Sequence, residues 1–495
     1  MGKWLTAKNA RAFHRREIPL LHMDELAKDL VRFLGEGLRV VHFYGRAGVE
    51  GAVTITAVLA DDTDCSLLVS EAHIKSVLKY TSMTVKEHSL HLFERELYEQ
   101  TGVVPERHPW LKPVRSEPGS HAVVQINKPP LYSTGGPHEV SWGPVRSVTA
   151  ESGHFRLLCR GEEILHIAIQ LGYQHRGVER LFRTGNPMNK ASLVESIAGD
   201  TVIAHAWAYA MAIEALSGIT LSKKAEMMRS VALELERIAM HLECLSGISA
   251  GIGFLPGAST YGRLRTAVID SMLRLSGCRF GRGLVRPGGV LSGVGSGVRE
   301  HVLRVLDVVD HDTEIINAYL FGSTGVLSRL EGTGVITPAQ VWEAGLVGII
   351  AKSTGLPLDS RADQPFGVYE KDHFTPITVS SGDVYARAKI RALEIEQSIK
   401  IIRKWFHYGM MIGENMMEPT LLGAGQMVVT MVEGFRGEVS HAIITGHNSE
   451  IEYYKVVDTS FHNWMGLALA ARGIGISDFP LCNESFGQSC CGHDL

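Results

Sequence analysis

Val194–Glu214 reads VESIAGDTVIAHAWAYAMAIE, and the reading of this stretch decides what the rest of the chain is organised around. Small side chains at Ala204, Ala206, Ala208, Ala210 and Ala212 let neighbouring backbones come close, as they do around a central helix of a bundle. His205 and Glu214 stand alone among apolar residues. Burying either is costly unless it finds a partner, so a helix here predicts one hydrogen-bonded histidine in its core.

Outward from that helix, the totals set limits. The chain has 495 residues, 45% hydrophobic and 21% charged, enough for two or three domains with substantial cores. A formal net charge of −4 gives no basis for a nucleic-acid surface. The seven cysteines contain no C-x-x-C pair and read as reduced thiols, mostly small core residues. No apolar run reaches the roughly 20 residues of a membrane span. Ala344–Ala351 (AGLVGIIA) is too short for that and reads as a buried helix. The charged start through Arg11–Arg16 predicts no secretory signal.

The expected organisation is α+β. Residues 1–36 read as helical, with Leu26, Leu30 and Phe33 on one face. From Val40 to Ser70 the pattern turns to strands. These make an α+β domain over residues 1–115, closed by an amphipathic helix ending at Gly102 and an extended Pro-rich segment. Residues 116–142 lack periodicity and read as a linker. Residues 143–495 form a second domain, opening on a hairpin of Arg156–Leu158 and Ile164–Gln170 around Gly161 and then mainly helical through Arg472.

Several spaced motifs resemble one family. Glu195, Ile197, Gly199 and His205 fall in register with Glu-Arg-Ile-Cys-Gly-x-Cys-x-x-x-His of [NiFe]-hydrogenase large subunits, with Ala198 and Thr201 at the cysteine positions. His91–Gly102 (HLFERELYEQTG) and His108-Pro109 resemble the Phe-Glu-Arg-Glu-x-Tyr-Asp-x-x-Gly and Gly-His-Pro signature of the complex I subunit that neighbours the quinone-site subunit. Gly143-Pro144-Val145-Arg146 and Ser152–Arg156 are similar to the Gly-Pro-x-His loop and hairpin of formate-hydrogenlyase-type large subunits. Tyr173–Glu179, Leu235–Leu242, Val285–Val290, Asp359–Phe366, Ser381–Arg387, Val432–His441 and Asp458–Trp464 resemble further motifs of the group. Its terminal Asp-Pro-Cys-x-x-Cys is matched to Asp478–Asn483, with Cys482 as the one surviving cysteine.

The resemblance implies a fusion of two complex I-type subunits, the second domain shaped like a hydrogenase large subunit. Neither Ala nor Thr supplies the soft thiolate that nickel–iron needs, so no metal is expected. Glu179 is the expected proton carrier, its pKa raised by burial, although Arg180 or Arg183 could instead pair with it. With it, His205, Asp200, Arg436 and His154 are the candidate catalytic groups, His154 being the imidazole nearest the hairpin tip. His175, Arg176 and Asp363 are candidate cofactor contacts, and Arg361 between two aspartates predicts a buried ion-pair network. Implied partners are a small iron–sulfur subunit, carrying its own cluster, and membrane-arm subunits. The expected location is peripheral, on the cytoplasmic side of the cell membrane. Three roles stay open: quinone or another acceptor in the cavity, a structural assembly subunit, or an altered metal centre. Quinone-using relatives without the cysteines usually carry tyrosine where this chain has Gly199.

Overall fold

Two antiparallel sheets packed face to face carry the framework of the chain. The computed structural model describes residues 4–48, 51–75, 78–115, 136–145, 151–291, 296–372, 374–407, 416–417 and 421–495. Arg39–Ala47, Val53–Asp61 and Ser66–Ile74 form a meander, with Leu5–Ala7 on the edge and Leu20–Leu21 added in parallel. These segments are rich in β-branched and aromatic residues and buried along nearly their whole length, because both faces are covered. The helix Met23–Gly35 covers one face with Leu26, Leu30 and Phe33. The other face sets Val41, Tyr44, Val58 and Val69 against Met427, Val429 and Ile444 of the second sheet. Tyr44 and Tyr453 stack across this layer with ring centroids 5.0 Å apart.

The second sheet corrects the expectation that the chain is mainly helical through Arg472. Gln426–Glu433, Glu438–Thr445 and Ile451–Val457 run antiparallel, and Phe13–His14 adds to the edge of Gln426–Glu433. Their apolar runs are buried on both faces and show no polar alternation, so periodicity cannot tell them from buried helix. The early helix is corrected too. It begins only at Met23, and Leu5–Ala7, Phe13–His14 and Leu20–Leu21 are edge strands whose backbone groups are satisfied by the sheets beside them.

Val202–Ser217 is the central helix, lying on the outer face of the second sheet, where Thr430 Oγ1 donates to the Ala208 carbonyl at 2.9 Å. It starts at Val202, after the turns of residues 195–201. Its first orphan donors are capped from outside: the Glu236 carboxyl accepts the N–H of Ile203 at 2.7 Å and of Ala204 at 3.3 Å. Glu236 belongs to the long helix Lys223–Gly251, which bundles with Leu255–Ser276, Ser296–Gly322 and Val384–His407.

Ala344–Ala351 is no continuous helix. One helix ends at Ala344 and another spans Ile349–Lys352. Between them Gly348 passes so near Gly437 that a β-carbon at Gly348 would lie 2.4 Å from the Gly437 Cα. The expected hairpin forms, His154–Arg160 with Glu163–Gln170, and gains a third strand, His138–Trp142, from within the expected linker. Residues 116–135 of that linker, and Arg146 in its loop, lie outside the described residues. Among the described residues no helix is long and apolar enough to cross a membrane.

Candidate functional site

The turn between Gln426–Glu433 and Glu438–Thr445 presents Arg436 to the start of the central helix. Its Nη1 donates to Asp200 Oδ1 and to Thr201 Oγ1, each at 2.8 Å; Nη2 donates to Asp200 Oδ2, and Nε to the Gly487 carbonyl. The guanidinium also stacks 4.3 Å over the Phe435 ring. Burial works against this cation, but the Asp200 charge outweighs it and raises the pKa above its ordinary value. The two expected residues Arg436 and Asp200 are thus brought together as a bidentate pair.

Behind them His205 is fully buried in a chain of hydrogen bonds. His205 Nε2 lies 3.1 Å from Asp458 Oδ2, His205 Nδ1 3.0 Å from His441 Nε2, and His441 Nδ1 2.7 Å from the Tyr454 hydroxyl. Burial opposes ionisation of Asp458, yet His205, Arg436 and the Ser460 side chain hold its pKa well below the usual range. Burial, with His205 and His42 nearby, drives the His441 pKa well below its ordinary value, so that ring is neutral. An ionised Asp458 can only accept, and when His205 carries a single proton this sets the order of the hydrogens. His205 Nε2–H donates to Asp458, His441 Nε2–H donates to His205 Nδ1, and the Tyr454 O–H donates to His441 Nδ1. Every proton points toward Asp458.

The last helix, Cys490–Asp494, closes the site. Arg176 donates through its backbone N–H to the Leu495 carbonyl at 2.7 Å and through its guanidinium to the carbonyls of Ile197 at 3.0 Å and Ser196. His175 Nδ1 donates to the Asp494 carbonyl at 2.6 Å. The Asp494 carboxylate accepts from the N–H of Gly172 at 2.8 Å and Gln174 at 2.9 Å. His175 and Arg176 therefore hold this helix. Glu151, which sequence reasoning passed over, ties the same helix to the hairpin by accepting from Ser489 Oγ at 3.1 Å and Cys491 N–H at 3.0 Å.

The assignment of the terminal motif is corrected by this geometry. Cys482 is buried beside Arg387 and Gly334, its thiol pKa pushed up to about 11 by burial. The segment facing Arg436, Ser460 and Asp458 is instead Gly487–Gly492. Laid on it, the Asp-Pro-Cys-x-x-Cys frame puts Ser489 and Gly492 at the cysteine positions. With Ala198 and Thr201, these four residues offer no thiolate, and the donor set does not fit a nickel–iron centre. Among the described residues no three His, Cys, Asp or Glu side chains converge to hold a metal ion.

Glu179 differs from expectation in its partner and its titration. Neither Arg180 nor Arg183 holds it; Oε1 accepts from Lys455 Nζ at 2.8 Å and from the Val456 N–H at 2.9 Å. Burial pushes its pKa up, but Lys455 and Arg115 together pull it below the ordinary glutamate value, so Glu179 stays ionised. Lys455 bridges on to Glu96 at 2.5 Å.

The remaining expected residues stand elsewhere. His154 begins the strand His154–Arg160, opposite Gln170. Asp363 sits near the contact between the two sheets, accepting the Asp359 N–H at 2.8 Å, and burial with the Asp62 charge raises its pKa to about 7. The expected ion-pair network does form. Arg361 donates to Asp359 at 2.7 Å and Glu234 at 3.1 Å, and Lys352 to Asp359 at 3.0 Å and Glu394 at 2.5 Å. His441, Tyr454, Lys455 and Asp458 were missed as functional groups because their partners lie far off in sequence, although His441 and Asp458 stand inside quoted motifs.

Comparison with known proteins gives a consistent set. Residues 252–422 match the family described as respiratory-chain NADH dehydrogenase, 49 Kd subunit. The chain is 28% identical over 346 residues to carbon monoxide-induced hydrogenase of Rhodospirillum rubrum, covering 69% of this chain and 95% of that one. It is 28% identical over 349 residues to formate hydrogenlyase subunit 5 of Escherichia coli (strain K12), covering 68% of this chain but only 60% of that one. With a component of the NADH-quinone oxidoreductase of Carboxydothermus hydrogenoformans it shares 30% identity over 258 residues, covering 51% of this chain and 70% of that one. Its fold matches a chain of the membrane-bound sulfane sulfur reductase, an archaeal respiratory membrane complex, with TM-score 0.69 and 22% identity over 73% of this chain and 99% of that one.

Proposed function

The chain belongs to the family of the respiratory-chain NADH dehydrogenase 49 kDa subunit, and we propose that it is the large subunit of a membrane-associated oxidoreductase complex working without a nickel–iron centre. Electrons from an iron–sulfur cluster in a small partner subunit reach quinone or another acceptor, and membrane-arm subunits complete the assembly on the cytoplasmic side. The part of this chain is to hold and orient protons beside that transfer. The observation that carries the reading is a buried, hydrogen-bonded acid–imidazole–phenol chain beside four positions that carry no thiolate: Asp458, His205, His441 and Tyr454 are linked at 3.1, 3.0 and 2.7 Å. Such a chain can pass a proton by successive reorientation without charging a buried imidazole for long.

A second reading, a structural assembly subunit, is favoured by one specific fact. Every side-chain nitrogen of Arg436 already donates within the protein, which leaves the guanidinium committed to holding the site together. Metal analysis with a quinone-reductase assay on the purified complex separates the readings. Reduction of quinone by nickel-free complex is the expected result. Stoichiometric nickel on this polypeptide overturns both readings, and neither nickel nor turnover leaves the assembly role.

A further inference from the structure

A cavity of about 70 Å³ opens between the helix His91–Thr101, the extended segment Trp110–Val114, the strand Glu163–Gln170 and the helix Thr459–Ala470. It meets the site described above only at His493 and shares no residue with the Asp458–Tyr454 chain. Ile167, Ile169 and Leu171 give it an apolar wall, and Trp110 and Trp464 give it flat aromatic ones. Among the described residues no carboxylate lines it.

The side chains in its lining that carry a permanent charge, Arg95 and Lys112, are both cations. Arg95 is only 7% exposed, yet its hydrogen bonds run to neutral carbonyls, of Lys112 at 2.7 Å and Pro113 at 2.8 Å. The one acid acting on it, Glu99, accepts from the N–H groups of Val114 at 2.6 Å and Arg115 at 3.1 Å. Lys112 Nζ stands 4.9 Å over the Trp110 ring, with the Arg95 guanidinium 4.8 Å over the same ring. Burial and the neighbouring Arg95 and Arg156 lower the Lys112 pKa, as expected of a cation with no anion beside it among the described residues. Two further atoms lack any hydrogen-bond partner among the described residues: Nε1 of Trp464, 5% exposed, and Nδ1 of His91, 8% exposed. A buried cation whose own hydrogen bonds reach only neutral carbonyls and an orphaned N–H are each costly, and one anionic occupant relieves both.

We propose that this cavity binds a small aromatic carboxylate, its ring against Trp110, Trp464 and Ile169 and its carboxylate toward Lys112, Arg95 and the Trp464 N–H. A planar two-oxygen anion suits a guanidinium and an indole donor together, and a flat ring suits the walls. The test is titration of the full chain with benzoate and, separately, with the neutral isostere benzamide, followed by saturation-transfer NMR. Benzoate is expected to bind saturably and at least about tenfold more tightly than benzamide. Lys112→Gln, at an exposed position, is expected to weaken benzoate about fivefold while leaving the melting temperature unchanged. Trp464→Phe adds a second check on the donor; should that variant not fold, the benzoate-to-benzamide ratio on the unsubstituted chain decides alone. Failure of benzoate to saturate, or equal binding of benzamide, overturns the proposal and leaves a partner's side chain as the occupant.

Discussion

Gly492 lies against Asp458 so closely that a β-carbon added to it would stand 2.6 Å from the carboxylate carbon. That contact occupies the space a cysteine would need at the frame position of the second terminal thiolate. Gly492→Ala is therefore expected to push Asp458 away from His205 and to destabilise the chain by about 1–3 kcal/mol. Thermal unfolding measures it. A melting temperature equal to that of the unsubstituted protein would show that the contact is not tight.

Removing Lys455 strands Glu179 and leaves Glu96 to Arg115 alone. With Lys455→Met, Glu179 and Glu96 stay buried without their shared cation, and the expected loss is about 3–5 kcal/mol. Denaturant unfolding of the variant checks this, and a loss below about 1 kcal/mol contradicts it.

Glu179 and Glu236 should imprint opposite slopes on stability against pH. The folded pKa of Glu179 is lowered, so the stability it adds is full above the ordinary value of 4.5 and is lost as pH falls through the folded value. Glu236 is raised by burial to about 8, so its contribution is full below 4.5 and is lost as pH rises through about 8. Glu236→Gln keeps an acceptor for the Ile203 and Ala204 N–H groups and should flatten the decline between those two values. An unchanged alkaline slope in the variant would exclude the assignment.

The hydrogens in the buried chain have a definite direction. Nitrogen-15 NMR of labelled histidine is expected to find both His205 and His441 carrying the proton on Nε2. Tyr454→Phe should leave His441 Nδ1 without its donor and cost about 1–3 kcal/mol. A proton found on His441 Nδ1 would reverse the chain and refute the order derived from Asp458.

Much of the site was legible where the motif itself carries the chemistry. Arg436 and Asp200 were readable as neighbours because each stands inside a spaced motif, and the Arg361 network followed from an arginine set between two aspartates. The central helix was legible from its alanines. What the sequence could not give was pairing at a distance. Lys455 as the counter-ion of Glu179 lies on a strand whose apolar neighbours read equally well as helix. Burial alone suggested a raised pKa for Glu179; the cation that reverses the sign is 276 residues away. Gly487–Gly492 escaped notice because substitution of both cysteines erased the residues by which that frame is found, while Cys482 offered a sulfur in the wrong place.

The strand Phe13–His14 completes a sheet whose other members lie beyond residue 425. During synthesis, that early segment leaves the ribosome long before its neighbours exist, and the meander beside it carries Val41, Tyr44 and Val58 on a face nothing yet covers. So wide a separation between partners slows folding and prolongs the exposure of sticky surface. The chain is therefore a natural client for a holding chaperone until the strands beyond residue 425 have emerged.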